Sequence, residues 1–174
     1  MGQKSDTLIL LMKRAFLILI TCVLFSCAGE EEIRDVPGDL VNASIIEGYT
    51  HAKIHPKEQS LLARFLTKNE DGALRSLVLL KDSDRVAAVW WEERKNAEQL
   101  FEELTEKIYP HLSKDAKGIV DTVIHSETDT PIELLAFTDF ALHSERIYFA
   151  RIGNTLYEFH GNDEGGILNL LKKL

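Results

Sequence analysis

Four strand-length segments follow one another between Ile119 and Gly161 with little more than turn residues between them. No other feature restricts the fold as much. They read "IVDTVIHSE" (119–127), "PIELLAFTDFAL" (131–142), "ERIYFARI" (145–152) and "TLYEFHG" (155–161). Each is rich in β-branched and aromatic residues with period-2 character, the pattern of a pleated, half-buried surface. The last two are joined by Gly153-Asn154 alone, a two-residue connection that selects a type I′ or II′ hairpin. Connections this short force neighbouring strands to run antiparallel, because a parallel return needs a crossover of a dozen residues or more.

Upstream, the pattern predicts a short strand within residues 45–54 and then a helix opened by Pro56, with Leu61, Leu62, Phe65 and Leu66 on one face. "LRSLVLL" (74–80) and "RVAAVWW" (85–91) flank the turn Asp82-Ser83-Asp84 and read as a second hairpin. Trp90 and Trp91 are adjacent, so they point to opposite faces, one toward a core and the other over a helix or partly exposed. "NAEQLFEELTEKIYPHL" (96–112) is a helix with Ala97, Leu100, Phe101, Leu104 and Ile108 in one apolar stripe. Asn96 and Gln99 are placed as in a capping box, and Pro110 marks the end. "GNDEGG" (161–166) is a turn into a last helix, "ILNLLKKL", with Lys172 and Lys173 at its end. The fold class is therefore α+β, a mostly antiparallel sheet covered by helices, in the order β-α-β-β-α-β-β-β-β-α. The closing segment, "RIYFARIGNTLYEFHG" through "ILNLLKKL", resembles the PsbP/Mog1-type α/β/α sandwich, many of whose members are accessory or assembly factors. The resemblance assigns no functional residue.

The beginning of the chain has a different character. Lys13 and Arg14 precede an apolar run from Ala15 to Phe25, about half the length a bilayer-spanning helix requires but the length of a secretory h-region. The run ends in Leu24-Phe25-Ser26-Cys27, followed by Ala28-Gly29, which resembles the lipobox of bacterial lipoproteins. That resemblance implies diacylglyceryl transfer to the Cys27 sulfur, cleavage before Cys27 and acylation of the new amino terminus. It divides the chain into a signal peptide (1–26, with Met12 the expected true start), a lipidated cysteine and flexible acidic tether (27–43), and one α+β domain (44–174). It also implies a lipid anchor in the bacterial cell membrane or outer membrane, with the domain on the extracytoplasmic side. The domain has no thiol, since the two cysteines are Cys22 and Cys27, so stability must come from its core.

Charge narrows the partners. The full chain carries a net charge of −8, and removing residues 1–26 takes away Lys4, Lys13, Arg14 and Asp6, deepening it to about −10. Such a balance excludes an electrostatic fit to nucleic acid or to anionic lipid headgroups, so membrane attachment falls to the acyl chains. Envelope proteins are the expected partners.

Catalytic motifs are missing: the chain has no G-x-S-x-G, P-loop, G-x-G-x-x-G or H-E-x-x-H. His51 and His55, four apart, are the candidate metal pair, without an evident third ligand; Pro56 pushes His55 toward an extended conformation. His125, His143 and His160 stand at strand ends, where they are expected to cover the rim of the sheet. No cofactor and no catalytic residue is expected. The sequence thus points to a lipoprotein with a non-catalytic binding or assembly role in the cell envelope. The competing expectation is an exported hydrolase or metal-binding protein using the histidines.

Overall fold

The structure, a computed structural model, describes residues 36–54, 59–65 and 74–174. The signal peptide, Cys27, His55, Pro56 and Leu66 lie outside the described residues. The elements are α1 (Gly38–Ile46), β1 (Thr50–Ala52), α2 (Leu62–Phe65), β2 (Arg75–Lys81), β3 (Asp84–Glu93), α3 (Ala97–Ile108) followed by a 3-10 turn (Tyr109–His111), β4 (Lys117–His125), β5 (Pro131–Thr138), β6 (Ile147–Ile152), β7 (Thr155–Gly161) and α4 (Glu164–Lys173). The seven strands form one antiparallel sheet in the order β1-β2-β3-β7-β6-β5-β4. This is the α+β architecture the sequence predicts.

Two hairpins carry the middle of the sheet. At Gly153 φ is +56°, while Asn154 is not among the left-handed residues; of the two permitted turns, this is type II′. The β2–β3 turn is made by Asp82 (φ 51°) and Ser83 (φ 70°), both left-handed, as type I′ requires. The two hairpins are stitched together where β3 meets β7, Trp90 opposite Glu158 and Ala88 opposite His160. That pairing spans the α3 helix and three strands, and no local signal encodes it.

Directly opposed residues share a face. One face carries Leu135 and Phe137 of β5, Ile147 and Phe149 of β6 and Leu156 of β7, all packed against the stripe of α3 in one core cluster. The five stripe residues of α3 are at most 6% exposed, which is worth about 1.5–3 kcal/mol for each large aliphatic or aromatic side chain as an upper figure. The other face carries Val89, Trp91, Tyr148, Tyr157 and Phe159, and here α4 packs on β7 and α1 on α4. Three layers result, helix–sheet–helix.

Several expectations change. Both tryptophans are buried (4% and 1% exposed), so of the alternatives for the second one partial exposure is overturned, because a sheet covered on both faces leaves no outward side at β3. Residues 38–46 are helix rather than tether and strand: Leu40 and Ala43 are buried, so ordered structure begins before Ser44 and the strand shrinks to Thr50–Ala52. Asn96 makes no side-chain cap on α3, whereas Asp163 caps α4 by accepting from the Gly166 N–H at 3.0 Å, starting that helix three residues before Ile167. A Cβ at Gly166 would meet the Tyr49 hydroxyl and the Asp163 carboxylate, so a larger residue there would have to displace the ends of both side chains, the helix cap included.

Candidate functional site

Two regions on the α3 face of the sheet concentrate polar chemistry. The first is buried. Glu158 of β7 is fully inaccessible, and its carboxylate meets the start of α2. Oε1 accepts from the Leu61 N–H (2.7 Å), and Oε2 accepts from the Leu62 N–H (2.9 Å) and the Ser60 hydroxyl (2.5 Å). Ser60 Oγ in turn accepts from the Ala63 N–H at 3.1 Å. His160, two residues along and therefore on the same face, brings Nε2 to 2.5 Å from Glu158 Oε1. A carboxylate offers about four lone-pair sites, and here four donors fill them. The acid is thereby fixed as the clasp that holds residues 60–63 to the sheet.

Around this pair the environment is aromatic. The His160 ring lies 4.7 Å from Trp90 and 4.1 Å from His143, centroid to centroid. Among the described residues His160 Nδ1 has no hydrogen-bond partner. His143 Nδ1 accepts from the Glu145 N–H at 3.1 Å, and Glu145 is ion-paired to Arg85 at 2.6 Å. Burial pushes the half-buried His143 below its ordinary value of 6.5, and His160 and Arg85 push the same way against Glu145 and Glu158. The strand-end histidines thus do not share one role. His160 is interior and His143 stacks on it, whereas His125 stands exposed at the end of β4. The expectation that all three cover the rim fails for His160, because β7 is central in the sheet.

His51 is engaged elsewhere. Its Nε2 lies 2.5 Å from Ser44 Oγ, and the Ser44 hydroxyl donates to Val41 O at 2.8 Å, so the histidine N–H donates to the serine oxygen. The serine proton rests on a helix carbonyl, and the pair is not arranged as nucleophile and base. Burial lowers the His51 pKa. Among the described residues no three His, Cys, Asp or Glu side chains converge as a metal-ligand set.

The second region is open. Strand β4 forms one edge of the sheet; all of its residues are exposed except half-buried Ile124. Ile119 is 46% and Val123 53% exposed. Between β4 and α3 lies a groove of about 550 Å³ lined by Phe101, Glu102, Glu106, Asp121, Val123 and Glu133, with Thr105 and Thr122 completing it. Glu133 is held by Arg151 through two hydrogen bonds of 2.6 Å, which keep its carboxyl below the ordinary range against the opposing effect of burial. Asp121 accepts from the Tyr109 hydroxyl at 2.9 Å.

Sequence reasoning missed both regions. The signal for the first was a period-2 one: Leu156, Glu158 and His160 fall on one face, so an acid stands in an inward register. For the second it was the exposure of β4, which follows from edge position and not from composition. A scan of protein-family models, a search of curated proteins and a search of solved structures each return no match for this chain.

Proposed function

We propose that the chain is a membrane-anchored bacterial lipoprotein with a non-catalytic binding or assembly role in the cell envelope. The observation that carries the non-catalytic half is the saturation of Glu158. The one close carboxylate–histidine pair of the described core, Glu158 with His160, is fully buried and its carboxylate accepts from four donors. Acid–base catalysis needs a group that can reach a substrate proton, and this one reaches only its own scaffold. The anchoring half rests on the order of cations, apolar run and Leu24-Phe25-Ser26-Cys27. The acidic balance of the domain leaves attachment to acyl chains, and the accessible surface then serves contacts with envelope proteins.

Intact-mass spectrometry of the membrane-extracted protein, beside a Cys27→Ala variant, tests the anchor. The expected result is a mature chain beginning at acylated Cys27, with the variant neither processed nor acylated. A membrane-extracted chain that retains residues 1–26 without a lipid adduct overturns it.

A further inference from the structure

We propose that β4 is a strand-addition site for an extended, cationic segment of a partner protein, one that alternates Lys or Arg with aliphatic residues. The inference rests on the binding role proposed above and gives that role a surface and a ligand chemistry.

Edge geometry comes first. The opposite edge of the sheet, β1, is three residues long, whereas β4 has nine. A long edge strand presents unpaired backbone groups and invites another chain unless it is blunted by a bulge, a proline or charges. In β4 the register shift lies between Lys117 and Val120, where Gly118 takes φ +59° and its carbonyl accepts from Arg146 at 2.9 Å. That irregularity occupies one end only. From Val120 to His125 each residue pairs in register with β5, so the outer side of this stretch is a regular template with no proline in it.

Side-chain chemistry supplies the occupant. Asp121 and Val123, opposite Leu135 and Glu133, lie on the α3 side, and Val120, Thr122 and Ile124 on the other. The α3 side opens onto the groove whose rim carries Glu102 and Glu106. An added strand would lie about 4.8 Å beyond β4. Every second side chain on it would project beside the groove, within reach of these carboxylates if long and cationic. The alternate side chains would lie beside Val120 and Ile124 and suit Val, Ile or Leu. Main-chain hydrogen bonds would supply affinity and the alternation would supply specificity. A second copy of this chain fits less well. Antiparallel β4–β4 pairing would bring two grooves of one sign together and set Asp121 near its counterpart, and like charges across a strand pair are destabilising.

The test uses the full chain in an uncharged detergent and three labelled ten-residue peptides, read by fluorescence anisotropy. One alternates lysine and valine, one alternates glutamate and valine, and one is the lysine peptide with alternate backbone nitrogens methylated. The lysine peptide is expected to bind, with protection of amides 120–125 in hydrogen exchange. The glutamate peptide should not bind. N-methylation, which keeps the charges but removes donors, should weaken binding about tenfold or more, a factor equivalent to 1.4 kcal/mol. The double variant Glu102→Lys/Glu106→Lys, on an exposed helix face, should weaken it by a similar factor. Absence of binding by the lysine peptide, equal binding of the lysine and glutamate peptides, or indifference to N-methylation overturns the proposal. So does a parent dimer in sedimentation that protects amides 120–125, because the second copy would then be the occupant. The anchor reading fails separately: an unacylated chain that binds the lysine peptide sinks the anchor alone, and an acylated chain that ignores it sinks this site alone.

Discussion

Two acidic regions share one face of the same sheet and differ in everything that determines use. At Glu158 a single carboxylate is fully buried, meets four donors and ties residues 60–63 to β7. At the β4 groove four carboxylates line open space, with Glu133 held by Arg151 and Asp121 accepting from the Tyr109 hydroxyl. The lesson is that an acid in a strand reads by its neighbours. Central position and an inward register make Glu158 part of the scaffold, whereas edge position leaves Asp121 and Val123 exposed.

The largest effect expected from this contrast is on stability. Replacing Glu158 with Ala strands the Ser60 hydroxyl, two backbone N–H groups and the His160 imidazole in the interior. Breaking a buried charged network by removing one partner costs about 3–5 kcal/mol. Urea unfolding should show the midpoint falling accordingly; a loss under 1 kcal/mol would mean that the clasp is dispensable.

Acid titration separates the two regions next. His143, on the buried side, has a lowered pKa, so below its ordinary value of 6.5 the unfolded chain takes up a proton that the folded chain refuses. Stability should therefore decline from about pH 6.5 downward until the folded value is passed. His51, lowered by burial, adds to the same window. Glu133, on the groove side, is held below its ordinary 4.5, so its contribution persists above that value and is lost as pH falls through the folded one. Asp139 behaves likewise. Burial pushes its carboxyl up, but donors from Ser113 (2.7 and 2.8 Å) and the Ala141 N–H (3.0 Å) outweigh burial and hold it low. Denaturant midpoints measured across pH should fall in two steps. His143→Gln should shrink the upper step and Arg151→Gln the lower. A single step unaffected by either variant would contradict the assignment.

The smallest effect belongs to the open edge. Val123→Thr removes exposed apolar surface without disturbing a buried partner, and surface changes of this kind stay within about 0.5 kcal/mol. A loss of 2 kcal/mol in thermal or urea unfolding would show that β4 is structurally committed.

Much of the fold was legible. Periodicity identified α3, both hairpins and the helix at the C-terminus, because each is encoded within a dozen or so neighbouring residues. The α1 helix was not, since Pro37-Gly38 and an acidic approach resemble a linker and its amphipathic signal is slight; Leu40 and Ala43 are buried only once α4 packs beside it. The buried site was illegible for a different reason. Glu158 is explained by Ser60, Leu61 and Leu62, nearly a hundred residues away in the chain, and by the β3–β7 pairing that makes β7 central. Histidine spacing misled in the same way: His143 and His160 meet in space although 17 positions separate them in the chain.

The most direct measurement is a paired experiment on two single variants of the full chain, Glu158→Gln and Glu106→Lys. Each is assayed for urea stability and for affinity toward the lysine–valine peptide. The account predicts a double dissociation. Glu158→Gln places an amide N–H₂ among donors, so it should lose about 1–3 kcal/mol of stability while the folded fraction binds peptide as the parent does. Glu106→Lys should keep parental stability and bind the peptide several-fold more weakly. A folded Glu158→Gln protein that no longer binds, or a Glu106→Lys protein that binds unchanged, would contradict the division between buried scaffold and working edge.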